Sequence, residues 1–317
     1  MNETITIRPF RDDDLDAVLG LLRSSLGETS LLQRTPELFA WKHLDNPFGR
    51  SFILVADAGG TIAGLRAFMR WELTTPEGET LRCVRAVDTA THPEFQRRGI
   101  FSRLTEAAVE AARENAVDLI FNTPNEKSGA GYLKMGWQQV GTIGVMMRPG
   151  IGLLRKGTGD DIPQTGDLVP GSEPLVDFPP VAARLPRGLR TARTPDYLRW
   201  RFTAHPTARY AAVEADDGVA VVRPNLRRGR RELVLSELIG PGSAAAARET
   251  TRRSRADYMV GWFSKGSPER SAAVSAGLIP LPKVTALTLV ARPLRELPMD
   301  VTSPASWDLA MGDLELL

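Results

Sequence analysis

The sequence is poor in the residues that build disulfides and metal sites. Its single cysteine, Cys83, cannot form a disulfide within the chain, and there are only three histidines among 317 residues. Zinc sites draw mainly on these two residue types, so we expect no metal site. A lone thiol fits a reducing compartment, and we expect a cytoplasmic protein. No histidine lies near Cys83 in sequence, so we expect a buried apolar role for it rather than a nucleophile.

Long apolar runs and a charge excess are lacking as well. No stretch reaches the ~18 apolar residues that a membrane-spanning helix needs. The first residues show neither the basic region nor the apolar core of a secretion signal. The 40 basic and 38 acidic residues leave a net charge of +2, whereas a nucleic-acid-binding domain usually carries a basic surface. We therefore expect neither a membrane nor a nucleic acid as partner, and the sequence leaves the oligomeric state open.

The chain does contain an internal repeat. A shift of 159 positions aligns residues 34–59 with 193–218 without a gap, and nine of the 26 positions are identical, among them Arg34/Arg193 and Trp41/Trp200. Chance would give about two identities at average composition. A period of this length indicates a duplicated domain rather than a solenoid. Trp41 and Trp200 recur at matching places in both halves, as do Asn46-Pro47 and His205-Pro206, and we expect structural roles for them.

The repeat and the composition divide the chain into four parts. We predict a first domain at 1–150, a Gly/Pro-rich linker at 151–186, a second domain at 187–297 and a tail at 298–317. In both domains short apolar runs typical of strands alternate with amphipathic segments typical of helices. Each half therefore predicts an α/β domain.

One strand-to-helix junction in the first half has the composition of an anion-binding turn. It contains Gln96, Arg97, Arg98 and Gly99, and a helix is expected over 102–116. A glycine turn at a helix N-terminus exposes several backbone N–H groups, and the helix dipole favours negative charge there. The two arginines add positive charge. The pattern favours a diphosphate ligand.

Two segments resemble signatures of the GNAT superfamily of N-acetyltransferases. Residues 96–101, Gln-Arg-Arg-Gly-Ile-Phe, resemble the [Q/R]-x-x-G-x-[G/A] loop that binds the pyrophosphate of acyl-CoA, with Phe101 in place of Gly or Ala. Residues 125–137 are similar to the second signature, N-x-x-[A/S]-x-x-x-Y-x-K-x-G-[F/W]. The resemblance implies two GNAT-like α+β domains, each with a mixed, mostly antiparallel twisted sheet flanked by helices.

The resemblance also implies how acetyl-CoA, the acyl-donor substrate, would be held. The pyrophosphate would bind the backbone amides of the loop that follows Gln96, namely Arg97, Arg98, Gly99, Ile100 and Phe101. The strand backbone at Thr91 would pair with pantetheine like an added strand, and Asn125 would hydrogen-bond the same arm.

For catalysis, the resemblance implies two groups. The N–H near Thr89 would stabilise the oxyanion of the tetrahedral intermediate, and Tyr132 would protonate the departing thiolate as general acid. A core aromatic role for Tyr132 is the alternative. The attacking amine also needs a base, and Asp88, Glu72 and His92 are candidates. Asp88 precedes Thr89 directly, but a structural hydrogen bond would explain it equally well.

The second half lacks these signatures. Its corresponding junction contains Gly240, Pro241 and Gly242 without the basic pair, and Val274 stands near the tyrosine position. We therefore expect a degenerate copy of the domain, and transfer of acetyl from acetyl-CoA to a primary amine, most simply a small molecule, in the first half. Three alternatives stay open: a non-catalytic CoA-binding scaffold, a longer acyl donor, or a macromolecular amine.

Overall fold

The computed structural model describes residues 4–29, 32–154, 157–180, 184–281 and 287–314. The predictions for the first three residues, for parts of the linker and of the second domain, and for the last three residues lie outside these ranges. The strands are β1 (Ile5–Pro9), β2 (Phe52–Ala58), β3 (Thr61–Thr74), β4 (Thr80–Thr91), β5 (Leu119–Asn122), β6 (Gln138–Ile143), β7 (Met146–Pro149), β8 (Arg190–Thr191), β9 (Ala211–Ala215), β10 (Gly218–Arg227), β11 (Arg230–Ile239), β12 (Tyr258–Gly261), β13 (Ile279–Pro280) and β14 (Leu287–Pro293).

The helices alternate with these strands along most of the chain. They are α1 (Leu15–Leu26), α2 (Pro36–His43), α3 (Ile100–Glu114), α4 (Glu126–Lys134), α5 (Thr165–Leu168), α6 (Pro195–Leu198), α7 (Ser243–Arg253), α8 (Pro268–Ser275) and α9 (Met311–Leu314). In the ranges that the structure covers, no helix combines the length and the apolar character needed to cross a membrane.

The chain forms two units, and the first comprises Met1–Leu73, Thr80–Val140 and Leu289–Thr302. We call it unit 1. Its strands follow the order β1-β2-β3-β4-β5-β14-β6. The β1–β2, β2–β3 and β5–β14 pairs are antiparallel, and β4–β5 is parallel. Helix α1 packs on Val55 and Leu65 of the sheet. Helices α3 and α4 share a core with Phe68 and Ile120. Helices therefore cover both faces of this sheet.

The second unit, unit 2, comprises Thr74–Glu79, Gly141–Thr288 and Ser303–Leu317. Its strands follow the order β13-β7-β12-β11-β10-β9. Here too a parallel pair, β11–β12, lies in a mainly antiparallel sheet. Helices α7 and α8 bury Ala246, Ala247 and Ala273 against β10 and β11. Both units thus have the mixed, mostly antiparallel sheet with flanking helices that the sequence predicts.

The units do not follow the boundaries expected from the sequence. Strand β7, within the expected first domain, belongs to the sheet of unit 2, and β14, within the expected second domain, belongs to the sheet of unit 1. The expected linker contains Leu168 and Val169, which are fully buried in the core of unit 2. The expected tail contains Trp307 and Leu309, which are also buried. Single buried residues between turns leave no periodic pattern, so composition alone predicts a linker there.

Both copies of the repeat begin a helix in the same way. Thr35 caps α2 by accepting a hydrogen bond from the N–H of Leu38, and Thr194 caps α6 through the N–H of Tyr197. A proline follows each cap at the first helical position, where its missing N–H costs nothing. The recurring threonine and proline are explained by helix initiation.

The recurring arginine forms a buried ion pair in each unit. Arg34 donates to Asp88 across 2.8 Å, and Arg193 donates to Glu237 across 2.7 Å. Each carboxylate lies near the end of the strand that pairs in parallel with its neighbour, β4 in unit 1 and β11 in unit 2. The recurrence of the arginine therefore reflects a structural ion pair.

Candidate active site

Strands β4 and β5 separate part of the way along the sheet of unit 1. Their parallel register runs from Cys83/Leu119 to Arg85/Phe121. Strand β4 then continues to Thr91, whereas β5 ends at Asn122. Beyond the last pair, the edge of β4 that faced β5 presents backbone N–H and C=O groups. Such an edge can accept an added strand, as expected for the backbone at Thr91.

The distal part of β4 is distorted at Asp88, whose φ is +40°. A non-glycine residue with positive φ is uncommon and interrupts regular strand geometry. Even so, the side chains of Asp88 and Thr89 lie on opposite faces of the sheet. Asp88 contacts residues of α2, and Thr89 contacts Arg66 on the face covered by α3. The two candidate catalytic side chains are not brought together.

The turn before α3 has the geometry of an anion site. Arg97 and Gly99 both have positive φ, +62° and +71°, and Gly99 is the N-cap of α3. The first N–H groups of a helix have no partner within it, and the first turn of α3 holds no acidic residue. A Cβ built on Gly99 would meet nothing within 4 Å. The turn is therefore open, and its unpartnered N–H groups could hydrogen-bond an anion.

Phe101 departs from the small residue of the signature, and its side chain points away from the turn. Its ring packs edge-on against Tyr132 at 5.6 Å, and it lies so close to Gly131 that a Cβ there would approach it to 2.9 Å. The ring fills space between α3 and α4. The backbone N–H of Phe101 stays at the start of α3, where the expected phosphate contact requires it.

Asn125 begins α4. Its Oδ1 accepts hydrogen bonds from the N–H and the hydroxyl of Ser128, both at 3.0 Å. Oδ1 of Asn125 thereby caps the N-terminus of α4. Its side-chain NH2 is the group that can donate to a ligand.

Tyr132 lies on the inner face of α4, with 3% of its surface exposed. Its hydroxyl accepts a hydrogen bond of 2.6 Å from Nη1 of Arg66, a fully buried residue of β3. The same Nη1 donates to the hydroxyl of Thr89. One guanidinium thus holds the two residues expected to act as general acid and oxyanion donor.

Sequence reasoning missed Arg66. The sequence does contain a signal for this residue. Arg66 is the one charged residue in the apolar run from Ile62 to Met69. A charged residue in such a run is costly to bury unless its hydrogen bonds are satisfied. The signal alone could not name Tyr132 as its partner, since the two lie 66 residues apart in sequence.

Asp88 lies in a cluster of three cationic or ionisable partners. Its Oδ1 accepts from Arg34 at 2.8 Å, and its Oδ2 accepts from Lys42 and His43, both at 3.0 Å. Burial by itself would raise the pKa of Asp88, but Lys42, His43 and Arg34 together hold it well below its usual value. A carboxylate this stabilised is a poor proton acceptor. These contacts favour a structural role for Asp88 over a role as general base.

The other two candidate bases are poorly placed. Glu72 lies six residues beyond Arg66 on β3, about 20 Å away at the rise of a strand. His92 caps a short 3-10 helix, with Nδ1 accepting the N–H of Glu94 at 3.3 Å. In the neutral ring this places the proton on Nε2. Neither residue contacts Tyr132 or Thr89, and no side chain in the described ranges emerges as a general base.

Cys83 is buried as expected. Its exposure is 2%, and burial raises the pKa of its thiol well above the usual value. A protonated thiol is not a nucleophile. Over the ranges described, no cluster of histidine, cysteine, aspartate and glutamate could hold a metal ion.

The corresponding turn in unit 2 is closed. A Cβ on Gly242, the N-cap of α7, would lie 1.7 Å from the carbonyl oxygen of Asp216, and one on Gly240 would lie 2.4 Å from that of Asp217. The β9–β10 turn therefore packs backbone-on-backbone against the start of this helix. Its carbonyl oxygens occupy the region where an anion would approach. Compared with the turn before α3, this turn lacks the two adjacent arginines and also lacks space for an anion.

The C-terminal segment lies beside the ends of β11 and β12 in unit 2. Phe263 forms a bridge with Ala310, and the N–H of Ser264 donates to Leu309 at 2.9 Å. Near the end of β11, a Cβ on Gly312 would approach the carbonyl oxygen of Ser236 to 3.0 Å. The residues expected to form a tail thus pack where the strands of the parallel pair end.

Comparisons with solved structures identify the fold. A GCN5-related N-acetyltransferase from Anabaena variabilis superposes with a TM-score of 0.63 at 14% identity, covering 92% of this chain and 73% of that one. A GCN5-related N-acetyltransferase from Kribbella flavida gives 0.61 at 15% identity, covering 92% and 72%. A putative acetyltransferase from Pyrococcus horikoshii gives 0.56 at 12% identity, covering 98% and 95%. At these identities the likeness concerns the fold.

A family model matches part of the sequence. No curated protein sequence matches the chain. The family model described as an acetyltransferase (GNAT) domain matches residues 6–140. That interval contains both the turn before α3 and the segment of Asn125 and Tyr132. Residues 6–140, which are less than half of the chain, are therefore similar to GNAT acetyltransferase domains.

Proposed function

We propose that the protein transfers an acetyl group from acetyl-CoA to a primary amine, using a single site in unit 1. The observation that carries this proposal is the open turn at Gly99, whose Cβ position is unobstructed and whose helix has no acid in its first turn. The pyrophosphate would bind the N–H groups from Arg97 to Phe101. Pantetheine would then run along β4 at Thr91 and meet the NH2 of Asn125.

The reaction would proceed by direct attack. The amine nitrogen forms a bond to the thioester carbon, and the carbonyl oxygen becomes an oxyanion that accepts the backbone N–H at Thr89. The intermediate then breaks its C–S bond, and the thiolate takes a proton from the hydroxyl of Tyr132. The proton lost by the amine passes to water, because Asp88 is held among cations. Water then returns a proton to the phenolate of Tyr132. No covalent intermediate on the protein is required.

The experiment is a thiol-release assay with acetyl-CoA against a panel of small amines, amino sugars and peptides with free amino groups. We expect release that depends on the amine and is lost in Gly99→Glu, which places bulk and negative charge in the turn. Longer acyl-CoA donors in the same assay address acyl length. Binding of CoA without thiol release on any amine would instead support a non-catalytic CoA-binding protein.

Unit 2 would contribute structure rather than a second catalytic site. Its turn at Gly242 has no room for an anion, and Val274, near the tyrosine position of α8, is about half exposed. We propose that it descends from a duplicated domain that has lost acyl-CoA binding. A protein with one binding site per chain is the consequence.

A further inference from the structure

Arg66 is enclosed on all sides. It is fully buried on β3, and its guanidinium carbon lies 5.0, 5.3 and 5.7 Å from the ring centres of Phe101, Tyr132 and Phe68. Aromatic faces attract a cation through their quadrupole. Aromatic rings carry no net negative charge, however, so they do not neutralise the positive charge of Arg66.

The hydrogen-bond partners of Arg66 are hydroxyl groups. Its Nη1 donates to Thr89 and Tyr132, and its Nη2 donates to Thr105 at 2.5 Å. In the part of the chain that the structure describes, no carboxylate lies within ion-pair distance of this guanidinium. Arg34 and Arg193, the other arginines considered above, each face a carboxylate. A buried cation without an anion is costly, and this one lies beside a group expected to become negative.

The direction of the hydrogen bonds determines what Tyr132 can do. A guanidinium only donates, so the phenol oxygen accepts from Arg66 and its own proton stays available for another acceptor. The hydroxyl of Thr105 is fixed in the same sense, because it donates to the carbonyl oxygen of Phe101 at 2.6 Å. The network therefore presets Tyr132 as a proton donor.

We propose that Arg66 is a positioning residue for acyl transfer: it keeps the Tyr132 proton free for the leaving thiolate and stabilises the negative charge left on the phenol oxygen. It also ties Tyr132 on α4 to Thr89 on β4 through one nitrogen, Nη1, which fixes the spacing of acid and oxyanion donor. This inference rests on the function proposed above.

The test is a double-mutant cycle on the full-length chain with Arg66→Met and Tyr132→Phe. If Arg66 acts through Tyr132, Arg66→Met lowers kcat about 10-fold in the wild-type background, less than the ~10²-fold or larger loss expected when the proton-transfer group itself is removed. In the Tyr132→Phe background it lowers kcat less than about 2-fold, because coupled residues are not additive. KM for acetyl-CoA stays within about 3-fold of the wild-type value.

The conservative variant separates this role from packing. Arg66→Lys keeps a cation that donates hydrogen bonds, so it retains more of the wild-type kcat than Arg66→Met does. The matched control is Arg85→Met on β4, which removes another buried arginine stacked on Trp71 and Phe121. It lowers stability, and it lowers kcat only as far as folded protein is lost.

The outcomes separate the two proposals. A wild-type chain that releases no thiol on any amine overturns the proposed function, and the role of Arg66 with it. An active wild type whose Arg66→Met variant loses the same factor in both backgrounds overturns the role of Arg66 alone. Arg66→Lys supplies the same comparison if Arg66→Met does not fold.

Discussion

Two buried charges in unit 1 have opposite surroundings. Asp88 is an anion held by Arg34, Lys42 and His43, so its charge is matched and its proton affinity is low. Arg66 is a cation held by hydroxyls and rings. A buried charge that is paired with opposite charges stabilises the structure. A buried charge without a countercharge can stabilise the opposite charge that develops during a reaction. The two residues therefore have different expected responses to mutation.

Asp88→Asn is expected to reduce the free energy of unfolding by about 3–5 kcal/mol, because it leaves buried cations without their anion. Denaturant unfolding monitored by tryptophan fluorescence measures this. The loss of activity in this variant should follow the loss of folded protein. An Asp88→Asn chain as stable as the wild type but inactive would restore Asp88 as a candidate base.

His43 gives the stability a pH dependence. Burial lowers its pKa below the usual value of 6.5, despite the opposing effect of Asp88. Below about pH 6.5 the unfolded chain takes up a proton that the folded chain does not, so His43 makes stability fall as the pH drops. The carboxylate of Asp88 contributes in the same direction only below about pH 4.

His43→Gln is expected to remove the His43 contribution. Comparing wild type and variant at each pH between 7 and 5 cancels the contributions of other groups. The stability gap between them should narrow as the pH falls. A gap that is constant over this window would contradict a buried, neutral His43.

At the level of elements, the position of α3 depends on its contact with β3. A Cβ on Gly64 would lie 2.6 Å from Cγ2 of Ile100 and 3.1 Å from Cδ1 of Leu104. Ile100 follows Gly99 directly, so this contact sets where the N-terminus of α3 lies. The glycine in β3 thereby helps to fix the position of the turn before α3.

Gly64→Ala is expected to destabilise the protein by about 1–3 kcal/mol through overpacking and to weaken acetyl-CoA binding. The control is Gly20→Ala in α1, where a Cβ meets nothing within 4 Å. That change should stabilise the protein by up to about 1 kcal/mol, since alanine favours a helix over glycine. Equal effects of the two substitutions in thermal denaturation would contradict this packing account.

At the level of the whole molecule, each unit takes one strand from a distant part of the sequence. In unit 1, β14 lies between β5 and β6, and it pairs with β5 from Val290/Asn122 to Pro293/Leu119. In unit 2, β7 lies between β12 and β13. A cut near residue 150 therefore removes an interior strand from unit 1.

A fragment of residues 1–150 is expected to aggregate, because two sheet edges and the apolar contacts of Val290 are left uncovered. Joining residues 287–302 to residues 1–143 through a Gly/Ser linker restores β14. This second fragment should stay in solution and bind acetyl-CoA. A cooperatively folded 1–150 fragment with full affinity would contradict the role of β14.

The sequence predicts those features of the site that depend on short segments of the chain. The turn before α3 and the tyrosine of α4 lie within short segments whose spacing carries their signal. Arg66, the cluster around Asp88 and the exchanged strands depend on contacts between residues far apart in the chain. No pattern within a short window records which distant strand completes a sheet, so the domain boundaries drawn from composition differ from the units.

The central claim is that one acetyl-CoA binds per chain, at the turn before α3. Isothermal titration calorimetry of the full-length protein with acetyl-CoA tests it most directly, in wild type and in Gly99→Glu. The account predicts a stoichiometry of about one per chain for the wild type and no measurable binding for the variant. The variant should stay folded, although a side chain at the positive φ of Gly99 costs about 1–2 kcal/mol. Two equivalent sites per chain, or binding that survives Gly99→Glu, would contradict it.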